Sequence, residues 1–392
     1  MRDHSQSLKT LTKNGIPRWA NLMSVIIILT VIDFTATFSR HPKLQYIIVV
    51  IPISYLLLSN FSNSHTYVLS SLSFFSGLLW VMGITGIYWG KIVERNTDGA
   101  LPLIWPLAIL MFASYRIESN KDVKKGIVIL AYLSNVISLE GIIVRLFELR
   151  GIFNYSHEKA FLIFFAIAVG VIFKKKSLAL ISIVLLIANF IVYPAFTYFL
   201  CGLVACFVAV IMKRPFKLIS FFVLQALSFL FLYYSTFLIN QPYTILDPSY
   251  KLLGRSNNIA YREFLIREVR HAISENFWFG SFFRRSVLVE TGKSSLPVHN
   301  DFVTITLGGG VISLILYLSI YLVTNYNLLG RVSKVLDDDS SKALICLGVL
   351  VNCYFYCSAA NPISMKPQNG MILMSAIYSI KVILSSTAIP RK

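Results

Sequence analysis

Twelve apolar runs, each fifteen to twenty-five residues long and bounded by charged or turn-forming residues, partition this chain. They fall at 22–38, 44–59, 66–90, 101–115, 126–146, 159–173, 177–192, 196–212, 216–239, 302–325, 342–359 and 369–387. A bilayer core of roughly 30 Å is crossed by about 20 apolar residues wound as a helix. The composition agrees, with 56% apolar residues, 14% charged residues and a mean hydropathy of +0.68. A soluble chain carries about 25% charged and about 45–50% apolar residues. Disorder, collagen, coiled coil and a small disulfide scaffold are excluded. The sequence predicts an all-α polytopic membrane protein with about twelve transmembrane helices.

The division of 177–212 into two spans rests on Tyr193-Pro194, because proline breaks or ends a helix. Charge placement bears on the count. The net charge is +18, from 36 basic and 18 acidic residues, a balance that often points to nucleic acid. Lysine and arginine in short loops, however, concentrate on the cytoplasmic side. With a cytoplasmic N-terminus, the inner segments hold nineteen of the 36 basics, Lys174-Lys175-Lys176 among them. The short outer loops hold six: Arg40, Lys43, Lys91, Arg95, Arg150 and Lys366. This asymmetry orients the chain with both termini cytoplasmic and no nucleic acid as partner. Nine spans then occupy 1–239, a long outer loop occupies 240–300, and three spans occupy 301–392. The basic start followed by an apolar run and Thr35-Ala36-Thr37 resembles a secretory signal, but the run is long and many spans follow, so an uncleaved anchor is expected. All five cysteines fall inside spans without metal-ligand spacing, and Cys353 and Cys357 form an i,i+4 packing pair. The two halves show no internal repeat, which tells against a transporter built from duplicated halves.

Charge inside a span marks a functional candidate. Asp33, Glu140 and Arg145 qualify, although Glu140 and Arg145 equally suit helix pairing or snorkelling to the interface. The outer loop says more. After the turn-rich stretch 240–256, Asn257 and Asn258 can cap a helix running to about 276. Ala260, Phe264, Leu265, Val269, Ala272 and Ile273 give it an apolar stripe at helical spacing. Arg262, Arg267, Arg270 and His271 alternate with Glu263, Glu268 and Glu275, the pattern of a helix lying on the outer leaflet. Arg267 and Arg270 read as solvated residues supported by nearby glutamates, such as Glu263 four residues before Arg267.

Trp278-Phe279-Gly280, Arg284-Arg285 and Pro297-Val298-His299-Asn300-Asp301 follow. An imidazole at the outer membrane face can take a proton from a hydroxyl or stabilise an anion, and an interfacial histidine without chemistry is the other reading of His299. Gly308-Gly309-Gly310 lies one to two turns into the next span, where three glycines mark close packing or a deliberate weak point. Gly292-Lys293-Ser294 imitates the end of a nucleotide-binding loop, but Val287 occupies the position of its required first glycine.

This pattern resembles the O-antigen ligase and polymerase superfamily of bacterial integral membrane glycosyltransferases. The resemblance covers topology along the chain and motifs over about 255–315. Arg262 stands eighteen residues before Gly280, His299-Asn300-Asp301 matches a His-Asn-acidic signature, and Gly310 matches a glycine about eleven residues later. The resemblance implies transfer of a glycan from undecaprenyl diphosphate to an acceptor hydroxyl on the periplasmic face of the inner membrane, with no cofactor, nucleotide sugar or metal. It makes Arg262 the diphosphate clamp and His299 the group facing the acceptor hydroxyl or the phosphate. From the sequence alone, Arg255, Arg284 and Arg285 are further substrate-binding candidates, and Asn300 and Asp301 would orient the histidine or the acceptor. Guanidinium groups suit a diphosphate because they bind it bidentately, and stabilising that leaving group is where catalytic power would lie. Ligases carry another arginine near the outer end of a middle span; the nearest stretch here, Val192 to Thr197, has none. A polymerase of surface polysaccharide is therefore the expected activity. A ligase delivering finished O-antigen to lipid A-core is the alternative, and a twelve-span flippase or transporter is the alternative of another class. The implied partners are the lipid-linked glycan, an acceptor glycan or lipid A-core, membrane lipids and a chain-length regulator.

Overall fold

The computed structural model describes residues 120–146, 160–192, 196–211, 218–239, 273–280, 288–291, 294–297, 301–329, 332, 338–360 and 367–386, together with seven helical residues between 75 and 85. Among the described residues, five full helices precede residue 240: α1 (Asn120–Leu146), α2 (Ala160–Ile172), α3 (Lys176–Val192), α4 (Phe196–Ile211) and α5 (Leu218–Ile239). Three follow it: α6 (Asp301–Leu328), α7 (Asp338–Ala360) and α8 (Pro367–Ser386). The all-helical membrane class expected from the sequence stands. Lys124–Ile143 in α1, Asp301–Leu328 in α6 and Asp338–Ala359 in α7 are long and apolar enough to cross a membrane. Helices also occupy the runs expected at 159–173, 177–192, 196–212, 216–239 and 369–387, as shorter apolar segments. At thirteen residues α2 extends only about 20 Å. The runs at 22–38, 44–59 and 101–115, and most of 66–90, lie outside the described residues.

Local chemistry sets the helix boundaries. Residues 193–195, between α3 and α4, contain Pro194, so the expected division of 177–212 is present. The turn between α2 and α3 closes in two steps: Lys175 N–H donates to Gly170 O at 2.8 Å, and Lys174 N–H donates to Val171 O at 3.2 Å. That pairing is a Schellman cap, and it requires a left-handed residue at Lys174, which has φ 57°. The helices carry apolar residues on both faces. In α1, Ile127, Leu130, Ala131 and Ile137 are buried, while Ile129, Tyr132, Val136, Leu139 and Ile143 are exposed at alternating three- and four-residue intervals. Such an outward apolar stripe suits lipid.

α7 is the hub. It packs against α1, α2, α4, α5, α6 and α8, and its residues from Ala343 to Ser358 are all buried. Its polar side chains face neighbouring helices rather than lipid. Asn352 Nδ2 donates to Asn325 Oδ1 of α6 at 3.0 Å and to Gly348 O at 2.8 Å. Tyr356 Oη donates to Gln225 Oε1 of α5 at 2.7 Å. Tyr321 Oη lies within hydrogen-bond reach of both Gln225 Oε1 and Asn352 Oδ1. Its single proton can serve only one of them at a time. The ring of Phe355 lies over Tyr321, with centroids 4.5 Å apart. A second polar seam joins α1 to α3, where Ser182 Oγ lies 2.8 Å from Asn135 Oδ1 and Asn189 Nδ2 donates to Ser138 Oγ at 2.6 Å. Between helices in lipid, such bonds are worth about 0.6 kcal/mol each and at most about 1.7, so a connected set of them defines register more than it adds stability.

α4 approaches α2 closely at Gly202, where a methyl group would enter the buried ring of Phe164. Gly202→Ala should therefore destabilise the bundle by about 1–3 kcal/mol. Thermal unfolding in detergent checks this, and adding Phe164→Leu should recover most of the loss. Additive losses in the double variant would show that the Phe164 ring is not the obstacle.

Candidate functional site

The stretch 240–300 contributes two described pieces, and both bear on α6. Ile273–Glu275 is helical and residues 276–280 form a turn; the rest of the helix expected over 257–276 lies outside the described residues. The turn closes with Gly280 N–H donating to Asn276 O at 2.8 Å. Farther along, β1 (Leu288–Thr291) and β2 (Ser294–Pro297) form an antiparallel hairpin with Thr291 opposite Ser294. Gly292-Lys293 stands between the two strands in sequence and lies outside the described residues. β2 ends three residues before α6 begins, and Val298-His299-Asn300 is the link between them.

The turn at 276–280 docks into a break in α6. Gly310 has φ 68° and ψ −173°, a conformation open essentially only to glycine, and it interrupts the helix nine residues after Asp301. Beyond the break, Val311 N–H donates to Phe277 O at 2.9 Å and Ile312 N–H donates to Trp278 O at 3.3 Å. These amides open the second half of α6 and would lack partners within their own helix. The loop backbone satisfies them. Gly280, at φ 58°, is the other half of the contact: a methyl on it would meet Gly310 N at 2.5 Å and Leu307 O at 2.7 Å. A methyl on Gly310 would strike the Trp278 carbonyl. Each glycine is therefore required twice, for its left-handed backbone and for the approach of the opposing chain. Gly280 is buried, while Phe277, Trp278 and Phe279 remain about half exposed around it. Phe277 and Trp278 meet edge to face at 5.2 Å.

At the start of α6, Asp301 turns into the bundle and is 0% exposed. Ser358 Oγ of α7 donates to Asp301 Oδ2 at 2.5 Å, and Tyr317 Oη lies 3.1 Å from Ser358 Oγ. Phe302 brackets this group, 5.6 Å from Phe229 and 6.1 Å from Tyr317 between ring centroids. An acidic residue in the first turn complements the helix dipole. A partner on a second helix goes beyond that local role and ties the α6 N-terminus to α7.

Among the sequence-derived site residues, Asp301 is described; Arg255, Arg262, Arg284, Arg285, His299 and Asn300 lie outside the described residues. Burial fits Asp301 as an orienting group rather than one that touches a glycan. Glu140 is half-buried in α1, and Asp33 and the Arg145 side chain lie outside the described set. Among the described residues no group of three or more His, Cys, Asp or Glu side chains could hold a metal ion. The five cysteines are free thiols in α4 and α7, in keeping with a packing role.

No family model, no curated protein and no solved structure matches this chain. The motif resemblance therefore rests on the sequence alone. Ser358 and Tyr317 were missed from sequence, where a serine and a tyrosine in apolar runs look like ordinary membrane-helix residues.

Gly280→Ala and Gly310→Ala should each open the dock, through backbone strain of about 1–3 kcal/mol together with the collision. Hydrogen exchange should then quicken at the Val311 and Ile312 amides while those around Asn352 stay protected. Unchanged protection at 311 and 312 in both variants would show that the loop turn does not cap this half-helix.

Proposed function

We propose that this protein is a bacterial surface-polysaccharide polymerase of the inner membrane, acting on its periplasmic face. It transfers a glycan from undecaprenyl diphosphate to a sugar hydroxyl of a second glycan. The acceptor oxygen attacks the anomeric carbon, the bond from that carbon to the diphosphate oxygen breaks, and undecaprenyl diphosphate leaves. Arg262 holds the diphosphate, with Arg255, Arg284 and Arg285 as further cationic partners, and His299 receives the hydroxyl proton. Asn300 and Asp301 orient the histidine. The donor carries its own leaving group, so the reaction calls for neither nucleotide sugar nor metal, and a chain-length regulator is a natural partner.

The observation that supports this reading is the docking of Gly280 onto Gly310. These two glycines stand at motif positions thirty residues apart, one shortly after the Arg262 helix and the other shortly after His299-Asn300-Asp301. The contact between them tolerates no side chain on either partner. A flippase or transporter would have no comparable need to fasten an outer loop to the head of one helix. The lack of a middle-span arginine near Val192–Thr197 favours polymerase over ligase.

His299→Ala should lower turnover by about 10²–10⁴-fold, the usual contribution of a general base. Arg262→Lys should recover little, because an ammonium cannot reproduce the bidentate fork. With insertion verified, the surface glycan of a polymerase-deficient cell carries single repeat units on the core. Bare core with polymer retained on the carrier lipid would make the protein a ligase. Repeat units trapped on the inner side would make it a flippase, and a normal glycan ladder in both variants would remove these residues from the site.

A further inference from the structure

The carboxylate of Asp301 is buried where an unpaired charge is costly, and it stands two residues after His299. Ser358 and Tyr317, both 0% exposed, lie in line with it. A serine hydroxyl has one proton to give. With that proton directed at Asp301 Oδ2, the Ser358 oxygen is an acceptor, and the Tyr317 hydroxyl 3.1 Å away is placed to donate to it. The chain Tyr317 to Ser358 to Asp301 therefore runs in one direction and ends on the carboxylate. The Tyr317 ring is held by aromatic packing, 5.1 Å from Phe355 and 6.1 Å from Phe302 between centroids. Hydrogen bonds polarise one another in such a dry setting. Tyr317 belongs to the second half of α6, beyond the Gly310 break, and Asp301 belongs to the first half. The chain of hydroxyls thus bridges the two halves of the broken helix through α7.

We infer that Ser358 and Tyr317 are positioning residues for the transfer reaction, holding Asp301 and through it the adjoining His299-Asn300 segment in register with the loop docked at Gly310. The inference rests on the polymerase reading above. Neither residue touches the glycan. Their hydroxyls fix the carboxylate at the head of α6, so their loss loosens the approach of the imidazole to the acceptor rather than substrate binding. The effect falls on kcat and leaves KM nearly unchanged.

The test compares Ser358→Thr with Ser358→Val in the full chain. The two side chains have the same shape, so any crowding from the added methyl is common to both and only the hydroxyl differs. Membranes containing each variant are supplied with lipid-linked repeat units extracted from cells deleted for this protein, and polymer formation is followed as a function of repeat-unit concentration. The expected result is a kcat for the valine variant roughly ten- to a hundredfold below that of the threonine variant, the effect of losing a hydrogen bond to a charged group. KM should stay within about threefold, with equal amounts of folded protein. Tyr317→Phe removes one oxygen from the end of the chain and should lower kcat in the same sense by a smaller factor. Equal kcat in the two Ser358 variants overturns the inference, as does a loss that follows the amount of folded protein. If neither Ser358 variant folds, Tyr317→Phe decides alone, and parental kcat there overturns the inference. The parental protein and His299→Ala run alongside separate the levels: no polymer from the parental protein defeats the polymerase reading, full activity without the imidazole removes His299 from the site and the positioning role with it, and its loss with intact Ser358 and Tyr317 variants defeats only the positioning role.

Discussion

A break in a membrane helix leaves amide groups that lipid cannot satisfy, and the contact between residues 276–280 and α6 is organised around how one such break is filled. Gly310 turns α6 out of its helical path, and the carbonyls of Phe277 and Trp278 receive the amides of Val311 and Ile312. Non-helical backbone at membrane depth is tolerated only where protein or water supplies the missing partners. Here the partner is the turn that closes the loop helix. Because the contact is made backbone to backbone, with glycine on both sides, it has almost no freedom to slide or relax. It joins the turn at 276–280 to α6 as one structural unit.

The helix bundle provides the rigid side of that unit. α7 lies at its centre and meets α6 along a series of polar contacts, from Ser358 with Asp301 and Tyr317 to Asn352 with Tyr321 and Asn325. Each of these is weak in isolation. Together they permit only one rotation and one vertical position of α6 against α7, since a slip of a single turn would leave several buried polar groups facing hydrocarbon. Gln225 extends the same seam to α5 through Tyr321 and Tyr356. The first turn of α6 is thereby tied to α7 through Asp301, and its second half to the docked turn through Val311 and Ile312.

Much of this framework was legible in the sequence. Apolar runs located the described helices to within a few residues, apart from the starts of α1 and α7. Those two begin earlier because Asn120-Lys121-Asp122 and Asp338-Asp339 continue the helix into polar sequence; at α7 the i,i+4 pair of Lys342 with Asp338 supports the extension. Pro194 marked the division between α3 and α4, and the triple glycine marked a weak point in α6. What that weak point was for could not be read. The partner of Gly310 lies thirty residues earlier, across a hairpin, and a contact between backbones leaves no pattern of side chains. The hairpin itself hid in a serine-rich loop stretch. The attention given to charged residues within spans also passed over Gln225, Asn325, Asn352 and Ser358, whose uncharged side chains carry most of the described polar contacts around α7. For the candidate site the division is sharper: the family resemblance nominated Arg262 and His299, which lie outside the described residues, and the packing of Asp301 against Ser358 and Tyr317 emerged only from the structure.

The most direct measurement of the central claim is a reconstitution. Purified protein in liposomes is given lipid-linked repeat units as the sole substrate, with a chelator present and no nucleotide sugar, and both glycan length and free undecaprenyl diphosphate are followed. The account predicts polymers of increasing length, with one undecaprenyl diphosphate released for each linkage formed. Repeat units that stay single while only crossing the bilayer, or polymer that forms only when a nucleotide sugar or metal is restored, would contradict it.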